Sequence, residues 1–145
     1  MAKLYGLAWR LFDKFVFIAT LDRLLKNNMN VLDITPEQFY DLVNEKKDRL
    51  EIIDVRELEE YRIIRISGSQ LIPGRDMLNR LDEVDWTKTA IFICRSGSRS
   101  RLVANVVSRS GIRINNLVGG LQEVYKKYKD WDELYFDEDR IKEYF

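Results

Sequence analysis

Four consecutive apolar residues, Ala90-Ile91-Phe92-Ile93, run directly into the polar stretch Cys94-Arg95-Ser96-Gly97-Ser98-Arg99, and a helical pattern follows. A short unbroken apolar run of this kind marks a strand covered on both faces, as in parallel sheets. The same strand–loop–helix order recurs along the chain. Val31-Leu32-Asp33-Ile34 is a short strand candidate, and Thr35-Pro36-Glu37-Gln38 opens a helix. Thr35 suits the cap, Pro36 the first helical position, and Gln38 the return bond of a capping box. Phe39, Leu42 and Val43 give that helix its apolar face. Further strands are expected at 50–55, at 70–72 (stopped by Pro73-Gly74) and at 114–118. Helices are expected at 57–62, at 76–81, at 100–110 with Leu102, Val103, Val106 and Val107 inward and Gly111 as its stop, and at 121–129 after Gly119-Gly120. Strands separated by helices imply βαβ units, hence an α/β fold with a parallel sheet and helices on both sides.

A chain of 145 residues suits one domain. Its 46% apolar and 12% aromatic content can build a core. Lys and Arg together number 24, as do Asp and Glu, and a net charge of zero argues against a nucleic-acid binder with a broad basic face. The absence of histidine excludes a Ser-His-Asp triad and a Cys-His pair. With one thiol and no imidazole, no metal site is expected. A lone Cys forms neither an internal disulfide nor a CxxC redox pair, and it fits a reducing, cytoplasmic setting.

The two ends differ from the middle. Apolar side chains crowd Leu4 to Leu25, broken by a polar stripe of Lys3, Gly6, Arg10, Asp13 and Thr20, a spacing that predicts an amphipathic helix. The uninterrupted run Phe15 to Ala19 is far short of the ~20 residues that cross a bilayer, and Arg10, Asp13 and Lys14 interrupt any signal-peptide core. Residues 1–30 carry five basic and two acidic side chains, whereas 130–145 carry seven acidic and two basic. The expected organisation is an N-terminal helical extension (1–30), a domain (31–130) and an acidic C-terminal tail (131–145). The expected role of residues 4–25 is packing on the domain or on a twin in a homodimer, the alternative being peripheral contact with a membrane surface.

Cys94 follows the buried strand and precedes a helix. In open α/β sheets, ligands gather at the carboxyl ends of the strands. A helix N-terminus offers free N–H groups and partial positive charge, which favour a thiolate. Arg95 and Arg99 add two cations, and Gly97 lets the backbone curl so that successive N–H groups form an anion nest. A nucleophilic sulfur in such a cradle suits covalent attack on an anion. A lone Cys is otherwise a small buried hydrophobe, but a polar, dibasic loop suits a packing role poorly.

Ile52-Ile53-Asp54-Val55-Arg56 with Glu59-Glu60-Tyr61, then Cys94 to Ser100, then Leu117-Val118-Gly119-Gly120-Leu121, in this order, resemble a single-domain rhodanese over roughly residues 31–130. The resemblance implies a three-layer α/β fold with a five-stranded parallel sheet flanked by helices, here with an extra N-terminal helix. It implies sulfurtransferase activity of the thiosulfate:cyanide type through a cysteine persulfide, without cofactor. Cys94 matches the family nucleophile and 94–99 its six-residue active loop. Asp54 and Arg56 match an Asp-x-Arg element, read as an ion pair or loop brace near the site that Glu60 could join. Two departures stand out. Ile64-Arg65-Ile66-Ser67-Gly68-Ser69 occupies the place of the usual Gly-His-Ile-Pro-Gly-Ala, keeping only Ile66 and Gly68. Val124 stands where a Trp is usual.

The residues yield a mechanism of their own. The Cys94 thiolate attacks the outer sulfur of a small donor such as thiosulfate. Arg95 and Arg99 neutralise the leaving sulfite, or one of them braces the loop. The amides of Ser96, Gly97, Ser98, Arg99 and Ser100 hold the persulfide. With no second thiol, the acceptor is an external thiol or protein. Two alternatives share these features. One is a non-catalytic module of the same family that docks a partner. The other is a Cys-dependent phosphatase or arsenate reductase, which needs five residues between Cys and Arg, a position where Ser100 stands here.

Overall fold

The structure, a computed structural model, describes residues 30–145. The expected helix over residues 4–25, with its dimer and membrane readings, lies outside the described residues. A five-stranded parallel sheet has the strand order β1-β6-β5-β2-β4. Its strands are β1 (Val31–Ile34), β2 (Leu50–Asp54), β4 (Gln70–Leu71), β5 (Thr89–Ile93) and β6 (Ile114–Leu117). Helices α1 (Pro36–Lys46), α2 (Leu58–Ile63), α3 (Ser98–Val107) and α4 (Gly120–Tyr128) connect or cover them.

Period-2 alternation in the central strand β5 sorts the core into two layers. Ile91 and Ile93 face a cluster with Phe39, Val43, Leu121 and Val124, from α1 and α4. Ala90, Phe92 and Cys94 face a second cluster with Ala104, Val107, Ile72 and Met77. Helices and turns therefore cover both faces, giving three layers. Each fully covered Ile or Phe contributes about 1.5–3 kcal/mol. Val124, at the place of the usual Trp, is wholly buried in the first cluster.

The capping box at α1 forms as its sequence predicts: the Gln38 amide donates to Thr35 Oγ1 (3.2 Å) and the Thr35 amide to Gln38 Oε1 (2.9 Å). Three other expectations are corrected. The segment 76–81 forms two 3-10 turns, Met77–Asn79 and Leu81–Glu83, rather than an α-helix. Met77 is the one buried residue of these turns, too little apolar surface to sustain a longer helix. Helix α3 begins two residues early and is rotated from the expected face. Ser100, Ala104 and Val107 point inward, while Leu102 and Val106 are exposed. With Ser100 turned toward Cys94, the 3.6-residue period brings 104 and 107 inward after it. Finally, the acidic segment 131–145 holds β7 (Leu134–Phe136) and α5 (Ile141–Tyr144). Strand β7 pairs antiparallel with β3 (Ile64–Ile66), the stretch that departs from the rhodanese pattern. Leu134 and Ile141 are buried in the core.

Two backbone contacts fix the loop after β5. The Leu121 amide donates to the Cys94 carbonyl (2.9 Å) and the Gln122 amide to the Arg95 carbonyl (3.0 Å). This brings Gly120, at φ +61°, so close that a Cβ there would collide with both carbonyl oxygens. Only glycine meets both demands. Gly120→Ala is expected to destabilise the protein by about 2 kcal/mol or more in urea unfolding, while Gly111→Ala, where a Cβ meets no atom within 4 Å, should cost less.

Candidate active site

Cys94 sits immediately beyond the carboxyl end of β5, fully buried, with its sulfur beneath the loop that enters α3. The Gly97 amide donates to Cys94 Sγ at 3.1 Å, and Ser100 Oγ lies 3.3 Å from it. Gly97 has φ +93°, and a Cβ there would lie 2.8 Å from the Leu117 carbonyl, so the loop curls back against the end of β6. The amides of Ser96, Ser98, Arg99 and Ser100 donate to no protein acceptor among the described residues. These are the free N–H groups of a helix start, gathered around the sulfur by the turn at Gly97.

Ser100 is held from behind. Its hydroxyl lies 2.6 Å from Asn116 Oδ1 on β6, and Asn116 Nδ2 donates to Asp33 Oδ1 on β1 (3.1 Å). Asp33 also pairs with Arg101 of α3. Asn116 was not singled out from sequence; it is one of two adjacent asparagines in β6 and is almost fully buried.

The two loop arginines differ. Arg99 forms two hydrogen bonds with Glu60 at 2.8 and 2.6 Å. The Arg99 hydrogen bond is the main cause that holds the Glu60 carboxyl down at about 2, with burial opposing it and the Glu57 amide and Tyr144 hydroxyl assisting. The same hydrogen bond raises the Arg99 pKa, against burial. Arg95 has no carboxylate partner among the described residues. It is exposed, with its guanidinium carbon 5.0 Å from the Tyr144 ring centroid and 5.8 Å from that of Phe145. Ser96 and Ser98 are exposed at the rim, their hydroxyls 3.4 Å apart.

Asp54 and Arg56 form a wholly buried pair next to the loop, because Asp54 registers with Ile93 at the end of β5. Arg56 Nε donates to Asp54 Oδ1 (2.9 Å) and Nη2 to Oδ2 (2.7 Å). Arg56 also reaches the Ile64 carbonyl (2.5 Å), the Glu60 carbonyl (3.3 Å) and the Tyr144 hydroxyl (3.0 Å). Burial works against its charge, but Asp54 outweighs it and the Arg56 pKa is raised. Glu60 thus meets Arg56 through its backbone and Arg99 through its carboxylate. A surface cleft of about 370 Å³ between Leu32, Trp86, Ile112 and Asn115 opens at the amino ends of β5 and β6, away from Cys94.

Residues 35–127 match the model of a family described as "Rhodanese-like domain". Over 99 residues, 68% of this chain, the sequence is 31% identical to YrkF of Bacillus subtilis, provisionally named a sulfur carrier protein; the match spans 53%, about half, of that relative. YtwF of the same organism, provisionally named a sulfurtransferase, is 35% identical over 77 residues, covering 53% of this chain and 75% of its own length. Among solved structures, a rhodanese-like domain protein from Staphylococcus aureus aligns with TM-score 0.59 at 27% identity, covering 64% of this chain and 90% of its own. A rhodanese-related protein from Thermoplasma volcanium shares the fold at TM-score 0.61 and 24% identity, covering 67% and 93%.

Because the Glu60 carboxyl is held low in the folded state, its contribution to stability is full above the unfolded carboxyl value of ~4.3 and is lost as pH falls toward 2. Glu60→Gln is therefore expected to lower the melting temperature at pH 6 by a few degrees, with the gap to the parent protein narrowing as pH falls through 3, as read by thermal denaturation across pH.

Proposed function

The chain belongs to the rhodanese-like domain family, and on that footing we propose that it moves a sulfane sulfur from an anionic donor such as thiosulfate to an external acceptor through a persulfide on Cys94. The observation that carries this reading is the setting of the sulfur: the Gly97 amide points at it, and four neighbouring amides have no acceptor among the described residues. Oriented N–H groups stabilise negative charge where it develops, which suits both a thiolate and the persulfide that replaces it.

In the first step the Cys94 thiolate attacks the outer sulfur of the donor. A new S–S bond forms, the donor's own S–S bond breaks, and sulfite leaves with that bonding pair. The product is a persulfide anion on Cys94. In the second step an external thiolate or cyanide attacks the terminal sulfur and the Cys94 thiolate is regenerated. Cys94 is the chain's single thiol, so the acceptor is a separate molecule or protein, and no metal or cofactor enters either step. Arg95, with no carboxylate partner among the described residues, receives the anionic end of the donor, while Arg99, held by Glu60, braces the loop. Arg95, Ser96, Ser98 and Arg99 form an exposed rim above a covered sulfur. The rim need yield only enough to admit one sulfur atom, whereas a tetrahedral phosphate needs a wider cradle. A reaction that depends on a reduced thiol fits the cytoplasm. Among the described residues no helix is long and apolar enough to cross a membrane.

Cys94→Ser is expected to abolish thiosulfate:cyanide turnover while retaining the parent's circular dichroism and melting temperature within a few degrees; turnover surviving in that variant contradicts the proposal. Arg95→Ala is expected to raise the KM for thiosulfate roughly tenfold, the loss of one charge-assisted contact. As an exposed residue it should change stability by no more than about 0.5 kcal/mol, as measured by steady-state kinetics and urea unfolding.

A further inference from the structure

Tyr144 belongs to the short terminal helix α5, more than forty residues from the loop in sequence, yet it touches the supports of both loop arginines. Its hydroxyl donates to Glu60 Oε1 at 2.8 Å and accepts from Arg56 Nη1 at 3.0 Å. Glu60 in turn grips Arg99. The Tyr144 ring faces the Arg95 guanidinium at 5.0 Å, and the Phe145 ring extends the same platform at 5.8 Å. A guanidinium over an aromatic face keeps its N–H donors free at its edge. This differs from an ion pair, which would neutralise the charge and occupy those donors.

We propose that Tyr144 is a positioning residue for the donor anion: its ring holds Arg95 with donors free at the mouth of the Cys94 loop, and its hydroxyl, through Glu60, holds Arg99. This rests on the sulfur-transfer reading above and adds a residue to it. The hydroxyl and the ring have separable duties. The hydroxyl stiffens the loop through Glu60, whereas the ring determines whether a cation waits where a negative donor arrives.

The test compares how fast Cys94 is alkylated by iodoacetate, which is anionic, and by iodoacetamide, which is neutral. Their rate ratio reports a cation at the mouth of the loop and cancels general changes in sulfur reactivity or access. Tyr144→Phe keeps the ring and is expected to leave the ratio within about twofold of the parent. Tyr144→Leu removes it and is expected to lower the ratio at least about threefold, approaching Arg95→Ala, with a parallel rise in the KM for thiosulfate. Should the Leu variant fail to fold, Phe145→Leu removes part of the platform without touching the hydrogen bonds and is expected to lower the ratio less, while Tyr144→Phe still decides. A ratio in Tyr144→Phe as low as in Arg95→Ala, or an unchanged ratio in Tyr144→Leu, overturns the proposal. A parent protein that shows the expected ratios but no thiosulfate turnover contradicts the sulfur-transfer reading and leaves the placing of Arg95 by Tyr144 standing.

Discussion

The Arg56 guanidinium, fully out of solvent, must be compensated within the protein, and the rest of the site is arranged around that requirement. Removing an ion pair from water costs several kcal/mol per ion, recovered only when geometry and further hydrogen bonds are good. Here both Asp54 oxygens, two backbone carbonyls and the Tyr144 hydroxyl meet Arg56. Those partners come from β2, from α2 and β3, and from α5. One side chain thus joins three separate stretches of chain. Taking away one partner leaves a buried charge without compensation, whereas an apolar pair of the same shape could keep the fold.

From this anchor the order of the site follows. Parallel register sets Asp54 beside Ile93, the last residue of β5, and Cys94 follows directly after it. The loop leaving Cys94 is held on one side by the α4 amides of Leu121 and Gln122, which require glycine at 120. On the other side, Ser100 is fixed through Asn116 to Asp33. Glu60 couples the anchor to the loop, since it is hydrogen-bonded to Arg99 and to Tyr144. The two arginines in the loop consequently differ in kind. The Glu60 carboxylate holds Arg99, whereas the Tyr144 and Phe145 rings face Arg95 without neutralising it.

The legible part of the fold was the part with local periodicity. The buried run 90–93, the Thr35 capping box and the alternation of strands and helices carry their signal within a few residues, and the parallel sheet followed from them. Elements that exist only through long-range pairing were not legible. Strands β3 and β7 are three residues each and form because each supplies the other's hydrogen bonds across about seventy residues of chain. In the site, Cys94 and its loop could be read because a thiol, a glycine and two cations stand within six residues. The asymmetry of Arg95 and Arg99 could not, since it depends on Glu60 and Tyr144, which only the tertiary structure brings near. Asn116 was not legible either: it is the second of two adjacent asparagines in β6, and its partner Ser100 is reached only through packing of α3 on β6. The inward face of α3 was misread because its outward side is also apolar.

The central claim is that Cys94 takes up and gives back a single sulfur atom. Mass spectrometry of the intact protein and of its Cys94 peptide, after treatment with thiosulfate and removal of excess donor, tests this directly. The account predicts a mass increase of one sulfur, confined to the Cys94 peptide and removed by brief exposure to cyanide or a small thiol. An unmodified Cys94 in folded, fully reduced protein would contradict it, and so would an adduct that retains the whole donor and is not discharged by either acceptor.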